Sequence, residues 1–154
     1  MKLLLKKVRL IEPGKSHSGQ VVDILVKDDK IEQIGPDISA DDAQIIESKG
    51  ACVSPGWFDL RANFRDPGDE HKESVASGLS AAAGGGFTHV LVMPSTNPPI
   101  QTKADIEYIK ARNANHPVTL HPAGVLSVGR EGKDISEMFD MKAAGAVEIG
   151  RAHV

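Results

Sequence analysis

Cysteine is almost absent from this chain: Cys52 stands alone, so no internal disulfide can form. Its place in the apolar run ACVSPGWF predicts a buried structural thiol rather than a nucleophile, and a reducing cytoplasm suits such a protein. A long apolar run is also missing. The opening MKLLLKKVRL is broken by Lys6, Lys7 and Arg9 before a signal-peptide core or a membrane span is complete, so no membrane partner is expected. Nor is there an excess of one charge: 18 basic and 21 acidic residues are interspersed, with a net charge of -3. That leaves no basic patch for nucleic acid and points to small molecules or proteins as partners. What is present is ordinary: 154 residues, 40% apolar and 25% charged, the composition of a soluble globular domain.

Residues 1–53 read as a small β unit. KLLLKKVRLI and VVDILVKDDKIEQIG cluster or alternate aliphatic residues, and EPGKSHSG and KDDK supply turns between them. From residue 54 the pattern becomes strand WFDLRANF, helix HKESVASGLSAAAGG, strand THVLVMPS, helix KADIEYIKARNAN, strand VTLHPAGVLS and helix ISEMFDMKAAG. Continuous apolar strands alternating with helices predict βαβ units and a parallel sheet. A closed (β/α)8 barrel takes roughly 250 residues, so 54–154 is expected to be its first units. The ending EIGRAHV, residues 148–154, is also what one frame of the sequencing-adapter DNA GAGATCGGAAGAGCACACGTC encodes. The natural chain is therefore expected to depart near Val147, leaving Arg151 and His153 without function.

Two glycine-containing segments carry no nucleotide signal. PGKS at 13–16 has Arg9 where a phosphate-binding loop needs glycine, and reads as a turn. AAAGGGFTHVLV follows a helix and precedes a strand, the reverse of a dinucleotide fingerprint, and reads as helix capping. Among the histidines, His17, His71 and His116 sit in polar or turn settings, His89 starts an apolar strand, and none is paired at a ligand spacing. His121 is placed at the C-terminal end of a barrel strand, where it either faces a site or packs. The segment DLRANFR is more informative. Strict strand alternation puts Asp59, Arg61, Asn63 and Arg65 on one face and Leu60, Ala62 and Phe64 on the other. The buried-looking VSPGWF before it favours an inward polar face over a solvated edge.

SPGWFDLRANFRDPGDEHKES resembles the P-G-x-x-D-x-H-x-H-x-R-x-P-G-x-x-x-K-E opening of the dihydroorotase family, type I, of the amidohydrolase superfamily. SGLSAAAGGGFTHVLVMPSTNPP is similar to its next block, S-G-x-x-A-A-A-x-G-G-x-T-x-V-x-x-M-P-N-T-x-P, and PAGVLSVGREGKDISEMFDMKAAGAV to the helix and strand that follow. The resemblance implies the N-terminal part of a TIM-barrel amidohydrolase, residues 54–154, preceded by the N-terminal share of a small β-sandwich domain, residues 1–53. It also implies a zinc-dependent cyclic amidohydrolase of pyrimidine synthesis that interconverts carbamoyl aspartate and dihydroorotate. Hydantoinase-like and allantoinase-like ureide hydrolases are the near alternatives. A homo-oligomer at full length, with aspartate transcarbamoylase as a protein partner, is the further implication.

The pattern breaks at the metal. Arg61 and Asn63 occupy the positions of the family's two histidines, whose imidazoles, two residues apart on a strand, would grip zinc from one side. A guanidinium offers no lone pair and repels a dication. No metal ligand and no catalytic residue is therefore assigned, zinc is an implication of family alone, and the full protein is expected to be catalytically impaired, either weak or a non-catalytic scaffold. The substrate positions survive in part. Arg65 matches the arginine that holds the substrate carboxylate as a bidentate fork. Ser95 stands where the family has its substrate-contacting asparagine, with Asn97 nearby as a stand-in.

Overall fold

Strand β1 (Lys2–Leu10) organises the first of two units, Met1–Pro55. It pairs antiparallel with β2 (Val21–Lys27) and parallel with β4 (Gln44–Glu47) and β5 (Cys52–Val53), while β3 (Lys30–Gly35) adds to the far side of β2. In this computed structural model, which describes residues 1–150, Asp28 and Asp29 of the β2–β3 turn both take positive φ, 46° and 66°. Aspartate tolerates that region, which is why KDDK makes a tight hairpin. β1 and β2 slip register between Leu5 and Val8, where Lys7 has φ 54°. Asp23, buried on β2, fills the irregularity: its carboxylate accepts from Lys6 Nζ at 2.5 Å, the Lys7 amide at 2.8 Å and the Ile38 amide at 3.0 Å. Burial by itself would raise the carboxyl pKa, but the Lys6 bond and the two amides outweigh it and hold Asp23 below its ordinary value. Cys52 corrects one expectation, because it is exposed on a two-residue strand rather than buried.

The second unit, from Gly56, is a parallel sheet of β6 (Trp57–Ala62), β7 (Phe87–Val92), β8 (Thr119–Val125) and β9 (Glu148–Gly150) in that spatial order. Helices α1 (Val75–Gly84), α2 (Lys103–Ala111) and α3 (Met138–Ala144) occupy the connections. Alternation of strand and helix with sequential strand order is the architecture read from the sequence. Arg151 and His153 lie outside the described residues.

Caps set the starts of α1 and α2, and α1 and α3 begin later than the apolar pattern suggests. Ser74 accepts from the Ser77 amide at 3.1 Å while the Ser77 hydroxyl accepts from the Ser74 amide at 3.0 Å, so α1 begins at Val75 and residues 71–74 remain a turn. Thr102 and Asp105 make the same reciprocal pair at the head of α2. α3 begins at Met138 rather than Ile135. The core forms where α1 and α2 meet one face of the sheet: Val75 and Leu79 of α1 and Ile106 and Ile109 of α2 pack with Ala62, Phe64, Val90, Val92 and Leu120. Gly78 is required there, since a Cβ on it would stand 2.5 Å from the Phe64 ring.

Candidate functional site

The polar segment of β6 departs from strict alternation. Phe58 pairs with His89 and Asp59 with Val90, but Ala62 pairs with Val92, so one extra residue is taken up between Asp59 and Ala62. Phe58 consequently lies tilted beside His89 and His121 while Ala62 joins the helix-facing core, although simple alternation assigns both to one face. Asp59 is drawn into the same irregularity: its carboxylate accepts from the Arg61 amide at 2.8 Å. Among the described residues it makes no ion pair with Arg61 or Arg65. Trp57 and Phe58 are exposed, so the expectation of a buried lead-in to this strand is also corrected.

Beyond the bulge, the ends of β6 and β7 meet. Ser95 Oγ donates to Asn63 Oδ1 at 2.6 Å, which joins two positions that sequence reading treated separately. The loops behind them lock backbone to backbone. The Asn97 amide donates to the Pro67 carbonyl at 3.0 Å, and Gly68, at φ 102°, lies so close to Asn97 that a Cβ would fall 1.8 Å from its carbonyl oxygen. Arg65 sits between two buried neighbours, Phe64 in the core and Asp66, with its own side chain exposed and φ 58°. Asp66 accepts from the Val75 amide at the head of α1 at 3.1 Å and from Tyr108 Oη of α2 at 2.9 Å. Nothing in the sequence pattern marks Asp66, because its partners are remote along the chain.

The residues at the positions that the resemblance gives to metal ligands, Arg61 and Asn63, do not fit a metal. The Asn63 carboxamide oxygen is already engaged by Ser95, Arg61 brings a positive charge, and among the described residues no group of three or more His, Cys, Asp or Glu converges.

Sequence reading missed a histidine pair. β8 runs on to Val125, so His121 lies early in its strand and not at the C-terminal end. There His121 Nε2 and His89 Nδ1 on neighbouring β7 are 3.0 Å apart, with ring centroids at 5.3 Å. The centroid spacing equals the bond plus about one ring radius at each end, so the nitrogens meet head to head as N–H···N. The only available signal was positional, one ring on the same face of each of three successive parallel strands. Burial, aided by the nearby His89, depresses the His121 pKa below the ordinary histidine value. On acidification an unfolded chain takes the proton first, so this pair's stabilisation is present above about pH 6.5 and is lost as pH falls toward the lower folded value. Protonation of both rings would also remove the lone pair that the bond needs. The melting temperature of full-length protein should therefore fall between about pH 7.5 and about pH 5.5 by more than that of His121→Gln; equal slopes would dismiss the pair.

Among the described residues no helix is long and apolar enough to cross a membrane. The chain is 40% identical over 151 residues to a dihydroorotase of Syntrophotalea carbinolica, covering 97% of this chain and 35% of that protein. It is 38% identical over 148 residues to a dihydroorotase of Aquifex aeolicus, covering 96% and 35%. It thus spans about a third of the length of the curated relatives it matches. Among solved structures, an L-hydantoinase from Arthrobacter aurescens superposes with a TM-score of 0.74 at 27% identity, over 96% of this chain and 32% of that one. A dihydroorotase crystal structure superposes with a TM-score of 0.67 at 18% identity, over 96% and 41%, a likeness of fold. Residues 50–154 match the family model described as dihydro-orotase-like, and with the strand-and-helix order of a barrel's N-terminal part behind that match, the chain belongs to the dihydroorotase-like family.

Proposed function

We propose that this chain is the opening third of a dihydroorotase-like protein of pyrimidine synthesis whose rim at the ends of β6 and β7 recognises an anionic substrate without a metal at the first ligand pair. The substrate class is dihydroorotate or carbamoyl aspartate. Arg65 supplies the cationic fork for the carboxylate, and Ser95 and Asn97 line the neighbouring loop. The observation that carries the reading is the Ser95–Asn63 hydrogen bond beside Arg61: a carboxamide turned to a hydroxyl and a guanidinium stand in place of two imidazoles. At an effective dielectric of ~20, two unit charges 4 Å apart interact by about 4 kcal/mol, and a dication meets more. Such a site opposes zinc as well as failing to hold it, so the activity is impaired. A full-length protein of this kind serves pyrimidine synthesis in the cytoplasm as a homo-oligomeric scaffold, with aspartate transcarbamoylase the partner to test.

The deciding measurement is dihydroorotate hydrolysis by full-length protein before and after zinc addition. Turnover far below ~1 s⁻¹, the low end of ordinary enzymes, is expected in both cases. Turnover at or above that level with stoichiometric zinc overturns the reading. Superposition on the L-hydantoinase supports a second reading, a hydrolase of another cyclic ureide, and hydantoin hydrolysis exceeding that of dihydroorotate would favour it.

A further inference from the structure

The strongest unassigned feature lies on the helix layer, behind the rim. Arg112, just past the end of α2, donates through NH2 to Tyr108 Oη at 2.7 Å, and its guanidinium lies 4.8 Å from the centre of the Tyr108 ring. With one phenolic lone pair taken by Arg112, the single hydroxyl proton of Tyr108 goes to Asp66 Oδ1, 2.9 Å away. Asp66 Oδ2 then takes the Val75 amide at 3.1 Å. Donation converges on Asp66, from Arg112 through Tyr108 on one side and from the Val75 amide at the head of α1 on the other, and Asp66 is only 3% exposed.

What these bonds hold is the residue next door. Arg65 has φ 58°, a left-handed conformation that a side chain with a Cβ adopts only when its flanks enforce it. One flank is Phe64, 6% exposed and packed in the core; the other is Asp66. The Arg65 carbonyl also accepts from the Asp69 amide at 2.9 Å, which closes the turn. Releasing Asp66 from Tyr108 leaves it only the Val75 amide and so loosens one of the two anchors that set the Arg65 backbone and the direction of its side chain.

We propose that Tyr108, backed by Arg112, is a positioning residue that acts through Asp66 to present Arg65 to a carboxylate-bearing ligand. This rests on the substrate role proposed for Arg65. A bidentate fork needs its carboxylate within a few tenths of an ångström, so a loosened anchor weakens binding without removing any group that touches ligand. Because the phenol only orients, its removal should matter only while Arg65 is there.

The test is dihydroorotate affinity of full-length protein, read into the millimolar range by ligand-observed NMR, for wild type, Tyr108→Phe, Arg65→Ala and the double variant. Tyr108→Phe should weaken binding roughly tenfold in the wild-type background and less than about twofold in the Arg65→Ala background. Arg112→Met, which leaves the Tyr108–Asp66 bond in place, should give a smaller loss of the same kind and serves if Tyr108→Phe does not fold. If Arg65→Ala itself leaves affinity unchanged, the substrate role of Arg65 falls and this inference with it. If Arg65→Ala weakens binding but Tyr108→Phe does not, the positioning role alone is overturned. An equal loss in both backgrounds makes the phenol a structural element only, and overturns it too. Should Arg65→Ala abolish detectable binding, the same comparison is made in Arg65→Lys, where persistence of the full tenfold effect counts against the proposal.

Discussion

Replacing Arg61→His and Asn63→His together is expected to give a full-length protein that binds zinc at least about a hundredfold more tightly than its parent. The charge of Arg61 opposes a dication by several kcal/mol at close range, and each 1.4 kcal/mol is about tenfold in affinity. Removing it and adding two neutral imidazoles two residues apart restores the donors that zinc prefers. Neither single change suffices. Asn63→His alone leaves the guanidinium in place, and Arg61→His alone leaves a carboxamide whose oxygen is held by Ser95 at 2.6 Å. Competition against a chromophoric chelator measures the effect for all three variants. A double variant no tighter than its parent would mean that the register shift between Asp59 and Ala62, and not the side chains, keeps metal from β6.

Gly68→Ala should cost at least about 3 kcal/mol of stability and separate the two rim loops. Two effects add. At φ 102° an alanine pays the penalty of a left-handed backbone, about 1–2 kcal/mol. The larger effect is steric: the new methyl would stand 1.8 Å from the Asn97 carbonyl oxygen and 2.7 Å from its carbon, and backbone atoms cannot rotate away as a long side chain would. Gly132→Ala separates the two, since Gly132 has φ 73° and nothing within 4 Å of the place a methyl would take, so it carries the conformational penalty alone. Thermal or urea unfolding of both full-length variants should show Gly68→Ala as the more damaging by about 2 kcal/mol or more. Equal losses would mean that the β6 and β7 loops are not in the contact described.

Much of this protein was legible along the chain. Apolar runs alternating with amphipathic stretches determine strands and helices, because burial on both faces and burial on one face leave different periods. KDDK makes its turn within a few residues, while the Ser74 cap, local as it is, was hidden by an apolar pattern that starts α1 too early. The family, too, could be read from order and spacing.

What the sequence could not supply is whatever depends on a neighbour brought from far away. Strand period predicts faces only while register is regular, and the extra residue between Asp59 and Ala62 is defined by pairing with β7, about thirty residues distant along the chain. His89 and His121 meet because β7 and β8 lie side by side, and neither shows a ligand spacing in the linear chain. Cys52 has apolar neighbours in sequence yet ends exposed, since exposure is set by what packs across a strand and not by what precedes it. Asp66 is the clearest case. As a letter it is one more acid in a turn, and only the folding of α2 against the β6 end gives it Tyr108, buries it, and turns it into the anchor beside Arg65. Local periodicity and capping act over a few residues and so are written in the chain; the rim, the bulge and the histidine pair arise from contacts between segments, which only the tertiary structure decides.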